Sequence, residues 1–159
     1  MPKIYNSLNE FQRDYQYDLS DKTTHLGEGS YGLVVKAYDN ENNKWVALKI
    51  GKDLMREYEA ASSLNHRNIA KYEACYRIND RNIGQRDYAI MQLYTAGNLA
   101  NLLQTTTLAD VQKRELIRGI LEGLQYLHAQ KRIHRDFKPA NILIAQRQLP
   151  PTDSRLWAD

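Results

Sequence analysis

The sequence of this 159-residue chain predicts an α+β fold: a mainly antiparallel β first part to about Tyr94, then a helical second part. Three observations lead there. Residues 32–39, GLVVKAYD, and 44–50, KWVALKI, flank the polar turn NENN (40–43), the pattern of two strands in a hairpin. Residues 107–130, TLADVQKRELIRGILEGLQYLHAQ, set Val111, Ile117, Ile120, Leu121, Leu124, Leu127 and His128 mostly three and four apart, which reads as one face of a long helix. The character changes after Gly97, so TAGN (95–98) is the expected joint.

The remaining elements follow in order. A third strand is expected before the glycines, around Lys22–Leu26. Residues 53–65, DLMREYEAASSLN, are rich in Ala, Glu, Leu and Met and predict a short helix. IAKYEACYRI (69–78) and RDYAIMQLY (86–94) are strand-like, joined by the polar NDRNIGQ (79–85). Thr107 and Asp110 have capping-box spacing at the start of the long helix, with Asp in place of the usual Glu.

Composition narrows the class. The chain is long enough for one ordinary domain. Apolar residues make up 42% and charged residues 26%, the balance of a globular chain. A net charge of +3 is mild and calls for neither nucleic acid nor a membrane as partner. The single cysteine, Cys75, allows no internal disulfide and fits a reducing compartment. No apolar run approaches the roughly 18 residues of a membrane span, and the first residues lack a signal-peptide core. A cytoplasmic location is the default expectation.

Three stretches carry chemistry. GEGSYGLV (27–34) puts glycines at 27, 29 and 32 between two expected strands, where backbone N–H groups can approach phosphate oxygens without Cβ interference. A strand follows these glycines, whereas a dinucleotide fold needs them to open a helix. In VALK (46–49), strand alternation puts Val46 and Leu48 on one side, Ala47 and Lys49 on the other. A lysine there usually points to solvent, but beside small apolar residues it suits a flat heteroaromatic ring bearing phosphates. In IHRDFKPANIL (133–143), His134, Arg135, Asp136, Lys138 and Asn141 fall within eight positions between apolar flanks. There Asp136 can take a proton from a hydroxyl, Lys138 can neutralise a transferring phosphate, and Asn141 can offer an oxygen to a hard cation. Pro139 stiffens the loop.

In this order GEGSYGLV, VALK and HRDFKPAN resemble the glycine-rich loop, the lysine strand and the catalytic loop of a eukaryotic-type serine/threonine protein kinase. The resemblance covers about residues 20–159 and implies a protein-kinase-like α+β fold, truncated: a small antiparallel β lobe and the first part of a helical lobe. It implies an N-terminal extension at 1–19, an N-lobe at 20–94, and a hinge with a partial C-lobe at 95–159. It further implies ATP and Mg²⁺ as cofactors and a protein Ser/Thr substrate.

Each site residue is carried over by its place in those motifs. Leu26, Gly27, Glu28, Gly29, Ser30, Tyr31 and Gly32 form the phosphate loop, and Lys49 pairs with Glu57, with Glu59 as the fallback. Only seven residues separate Lys49 from Glu57, fewer than the family usually has, so the helix must be short or start at once for the pair to form. Val34, Ala47 and Leu143 sandwich the adenine. Met91 is the gatekeeper, Gln92 to Tyr94 the hinge, and Asn98 the ribose contact. Asp136, Lys138 and Asn141 act in the catalytic loop, and Asn141 and Asp159 hold the metal.

Asp159 is assigned from the tail NILIAQRQLPPTDSRLWAD, with ILIA as one strand, an enlarged turn, and RLWAD as the second strand. Asp153 competes but sits in a Pro/Ser/Thr loop. An incomplete C-lobe implies exposed apolar surface on the long helix and a complementing chain or partner to cover it. Two other readings stand beside the enzyme. One is a non-catalytic fragment that binds nucleotide or a partner, which would have no need for Asp136. The other is a small-molecule kinase, which the Lys138–Pro139 pair disfavours.

Overall fold

The computed structural model describes residues 3–29, 32–94, 97–132, 137–144 and 154–156. The chain divides into two compact units, Met1–Ser62 with Tyr72–Leu93, and Ser63–Lys71 with Tyr94–Asp159.

The first unit is built on an antiparallel sheet. Its elements are α1 (Leu8–Asp14), β1 (Tyr15–Gln16), β2 (His25–Gly29), β3 (Gly32–Asp39), β4 (Lys44–Gly51), α2 (Leu54–Ala61), β5 (Tyr72–Asp80) and β6 (Gly84–Gln92). The strand order is β1-β3-β4-β6-β5, with β2 pairing on β3. The expected β3–β4 hairpin is present, in register Leu33↔Ile50 to Asp39↔Lys44. Its turn is organised by the buried Asp39, whose Oδ1 accepts from the amides of Glu41 and Asn42 at 3.0 and 3.1 Å.

Several boundaries differ from the sequence expectation. The strand placed around Lys22–Leu26 begins only at His25, because Lys22–Thr24 form a 3-10 turn capped by Asp21. The helix expected over 53–65 stops at Ala61. β5 starts at Tyr72 rather than Ile69, and β5 and β6 extend into the polar connection, leaving only residues 81–83 as the turn.

Residues 3–17 form a second layer on the sheet. Tyr5, Phe11 and Tyr15 join Val35, Ala37, Val46, Leu48, Ile78, Tyr88 and Ile90 in one buried cluster, with Phe11 fully buried. The Phe11 ring lies 4.9 Å from both Tyr15 and Tyr88, centroid to centroid, and Tyr5 meets it edge-on at 5.3 Å. Ser7 caps α1 by accepting from the Glu10 amide. Tyr5 donates to Asp14 Oδ2 at 2.6 Å, and Lys3 pairs with the same carboxylate.

The second unit contains α3 (Leu99–Thr105), α4 (Asp110–Ala129) and the short hairpin β7 (Ile142–Ile144) with β8 (Ser154–Leu156). The long helix is present, but its start and its buried face differ from the reading of the sequence. Thr107 is not the cap: the helix starts after Ala109, whose amide donates to Gln112 Oε1 at 2.7 Å. The buried ridge is Leu116, Gly119, Gly123 and Leu127, while Val111, Ile117 and Leu121 are 68%, 55% and 59% exposed and His128 is exposed too. Residues 63–71 dock on this helix through the Asn65 amide, which donates to the Tyr126 hydroxyl at 2.9 Å, and through His66, 4.9 Å from the Tyr126 ring. Among the described residues no helix is long and apolar enough to cross a membrane.

Candidate active site

In the sheet unit, β2 and β3 form the glycine-rich hairpin, in register Gly27↔Val34, Glu28↔Leu33 and Gly29↔Gly32. Ser30 and Tyr31 lie outside the described residues. The glycines differ in kind. At Gly32 the backbone has φ +129°, and a Cβ would fall 2.3 Å from the Ile50 carbonyl oxygen, so packing against β4 already requires glycine there. A Cβ at Gly27 would meet nothing within 4 Å, so its glycine answers no packing demand. Leu26 is half-exposed beside it.

Lys49 sits on β4 opposite Val34 of β3 and Ala89 of β6. Alternation along β4 sends Val46 and Leu48 into the aromatic cluster, and Ala47, also buried, to the side shared with Lys49. The Lys49 ammonium lies 3.1 Å from Glu57 Oε1 and 3.4 Å from Oε2, with the two side chains only 14% and 19% exposed. The short connection therefore causes no failure of the pair. Asp53 turns the chain through a left-handed conformation (φ 61°), and α2 starts at once at Leu54. Glu59, the fallback partner, is exposed.

The sequence reading missed the third member of this group. The Tyr72 hydroxyl donates to Glu57 Oε1, so both oxygens of that carboxylate face hydrogen-bonding partners. Its clue was its place inside the strand expected at 69–78, which follows the glutamate helix. Met91 is buried on β6 opposite Ala47, and Gln92, opposite Val46, is exposed. Burial pushes the Cys75 thiol on β5 up to about 12, which disfavours its thiolate form.

In the helical unit, Tyr94 is buried. Gly97, at φ +80°, accepts from the Ile144 amide at 2.9 Å, and Asn98 bridges to Leu143, so the entry to α3 is pinned to β7. Asn98 Oδ1, expected at the ribose, caps α3 by accepting from the Asn101 amide at 2.9 Å. Lys138 and Asn141 are brought together by a 3-10 turn over Pro139–Asn141, in which the Asn141 amide donates to the Lys138 carbonyl at 2.9 Å. Lys138 is exposed and Asn141 half-buried, and Ile142 and Ile144 anchor the strand that follows. β8 pairs with β7 as expected, Ile142↔Leu156 through Ile144↔Ser154. His134, Arg135, Asp136, Asp153 and Asp159 lie outside the described residues.

An antiparallel sheet carrying a partly buried Lys–Glu pair, together with a helical unit bearing a Lys-Pro-x-Asn turn, defines a protein of the kinase class. The comparisons agree. Residues 20–153 match the protein kinase domain model, and the chain belongs to that family. It is 34% identical over 149 residues to MAP3K epsilon protein kinase 1 of Arabidopsis thaliana, covering 86% of this chain and 10% of that protein. It is 32% identical over 151 residues to mitogen-activated protein kinase 4 of Homo sapiens, covering 85% and 26%. The chain thus spans a quarter or less, approximately, of the length of these relatives. A crystal structure of Rad53 1-466 in complex with AMP-PNP superposes with a TM-score of 0.76 at 27% identity, covering 93% of this chain and 38% of that one.

Proposed function

We propose that this chain supplies the nucleotide-handling part of a serine/threonine protein kinase, moving the γ-phosphate of ATP to a protein Ser or Thr hydroxyl in the cytoplasm. In this reading residues 20–94 are the N-lobe and 95–159 the hinge and the start of the C-lobe. The observation that supports it most directly is the enclosed Lys49–Glu57 pair with Tyr72 behind it. A cation fixed at β4 by a carboxylate on the following helix is a preorganised partner for phosphate oxygens.

The chemistry divides among named residues. The backbone at Gly27, Gly29 and Gly32 and the Lys49 ammonium hold phosphates, and Glu57 orients Lys49. The substrate hydroxyl oxygen forms the new bond to the γ-phosphorus as the bond to the β–γ bridging oxygen breaks. ADP leaves, and Asp136 takes the hydroxyl proton. Lys138 offsets charge on the transferring group. The Asn141 amide oxygen and the Asp159 carboxylate are hard donors of the kind Mg²⁺ prefers, so the donor set fits, and these two would hold the ion. Bound there, Mg²⁺ would neutralise phosphate charge.

The second reading, a nucleotide- or partner-binding module without transfer, draws on the exposed Val111, Ile117 and Leu121 of α4. One set of measurements separates the two. Label from γ-labelled ATP is followed into a generic basic protein with Mg²⁺, beside Asp136→Asn and Lys49→Met, and MgATP is titrated by thermal shift. Incorporation about 10²–10³-fold above either variant supports transfer. A MgATP-dependent rise in Tm with no label above the Asp136→Asn level supports binding alone, and no rise at millimolar nucleotide rejects both nucleotide readings.

A further inference from the structure

The helix that carries Glu57 starts without a cap of its own. Asp53, at the N-cap, makes no side-chain hydrogen bond to it. α2 is eight residues long, too short to persist on propensity, and its first amides need outside partners. One partner comes from the sheet. Asp87 of β6, only 1% exposed, accepts from the Met55 amide through Oδ2 at 2.9 Å. Arg77, its register partner on β5, grips the same carboxylate with both arms, Nε to Oδ1 at 2.8 Å and Nη2 to Oδ2 at 3.1 Å. Two residues further along β6, Ala89 pairs with Lys49. One strand therefore registers both halves of the ion pair: Ala89 sets the height of Lys49, and Asp87 sets the first turn of the helix bearing Glu57.

We propose that Asp87, clamped by Arg77, is a positioning residue that holds the N-terminus of α2 on β6 and so keeps Glu57 in reach of Lys49. Its link to nucleotide rests on the function proposed above; its hold on the helix does not. A carboxylate at a helix N-terminus also meets the favourable end of the helix dipole. An ordinary surface ion pair would be solvent-screened and nearly neutral, whereas here the acidic partner is buried and spans two elements.

The test is hydrogen exchange, residue by residue, on the full chain, with MgATP affinity by calorimetry, for wild type, Asp87→Ala, Asp87→Asn and Lys49→Met. Asp87→Ala is expected to speed exchange of residues 55–61 about tenfold, as for loss of a hydrogen bond to a charged group, while Ala47 and Ala89 stay at the wild-type rate. MgATP affinity should fall about tenfold in Asp87→Ala and by less in Asp87→Asn, which keeps one acceptor for Met55. Adding Asp87→Ala to Lys49→Met should cost no further affinity, because the effect runs through that pair. Equal acceleration of α2, β4 and β6 would overturn the proposal by making Asp87 a general stabiliser. So would loosening of α2 with unchanged affinity, or a full additional loss in the Lys49→Met background. If Asp87→Ala does not fold, Asp87→Asn carries the same comparisons. If wild type binds no MgATP, the functional reading fails by itself. An acceleration confined to 55–61 then still upholds the hold on the helix, and its absence overturns it.

Discussion

The sheet unit and the helical unit treat their apolar residues in opposite ways. In the first, β4 is buried on both sides: Val46 and Leu48 lie under the aromatic layer of residues 3–17, and Ala47 faces away from it. In the second, α4 buries a narrow ridge of Leu116, Gly119, Gly123 and Leu127 and leaves Val111, Ile117 and Leu121 to solvent. The difference teaches that an apolar residue is a request for a partner, and that the partner's identity is decided elsewhere in the chain. For the sheet the partner is an N-terminal segment that precedes the start of the family match at residue 20.

The strongest way to break this contrast is to remove the partner. Phe11→Ala should lower the stability of the sheet unit by about 3–5 kcal/mol, the range for an aromatic lost from a closed core. The loss is read as a fall in the urea midpoint and as faster exchange along β3, β4 and β6. A change below 1 kcal/mol, approximately, would mean that residues 3–17 are an ornament on the sheet and not its second layer.

The next prediction separates packing from function within the glycine hairpin. Gly32→Ala must accommodate a positive φ and a contact with the Ile50 carbonyl, so it should cost about 2–4 kcal/mol. Gly27→Ala meets nothing and should stay within about 0.5 kcal/mol. If the phosphate reading holds, Gly27→Ala weakens MgATP binding without moving the urea midpoint. A midpoint shift at Gly27 as large as at Gly32 would sink the distinction.

Much of the sheet unit was legible because alternation is a strong signal where one strand must satisfy two neighbours. The β3–β4 hairpin and Lys49 on the Ala47 side follow from residues 32–49, whereas Glu57 as the partner came from the family resemblance. Three things were not legible. Tyr5, Phe11 and Tyr15 follow no single period, so their burial depends on a sheet assembled from residues far along the chain. The buried face of α4 was misread because two of its four members are glycines, which a hydrophobic pattern scores as blank although they allow close approach. Asp87, second residue of the strand expected at 86–94, carries no motif that would single it out. Its importance appears only when Arg77 and the Met55 amide converge on it.

Charge sharpens the contrast further, since the sheet unit's linking carboxylates titrate. Asp14 is held below its ordinary value by the hydrogen bond from Lys3 and then by that from Tyr5. Burial alone would raise Asp87, but Arg77 and the Met55 amide outweigh it, and its carboxyl also ends below the usual range. A depressed folded-state pKa stabilises above the unfolded value of about 3.9 and ceases to do so as pH falls through the folded value. The sheet unit should therefore lose stability below about pH 4, by on the order of 1–3 kcal/mol for the Asp87 contacts. Urea midpoints from pH 7 to pH 3 read this, with Asp87→Asn flattening the slope. Asp53 and Arg77 are the other charged groups to control. An unchanged slope in Asp87→Asn would remove Asp87 from the account.

The smallest expected effect tests the helical unit. Ile117→Gln and Leu121→Gln replace side chains that already face water, so each should move the urea midpoint by no more than about 0.5 kcal/mol. Leu127→Ala, further along the same helix but on the buried ridge, should cost about 2–5 kcal/mol. The paired substitutions should also reduce light scattering at high protein concentration, because exposed apolar side chains on neighbouring turns favour association. If Leu121→Gln costs as much as Leu127→Ala in dilute solution, the two faces of α4 are equally enclosed and the contrast with the sheet unit disappears. If it costs nothing and scattering is unchanged, the stripe is inert surface, and the binding-module reading loses the observation that favours it.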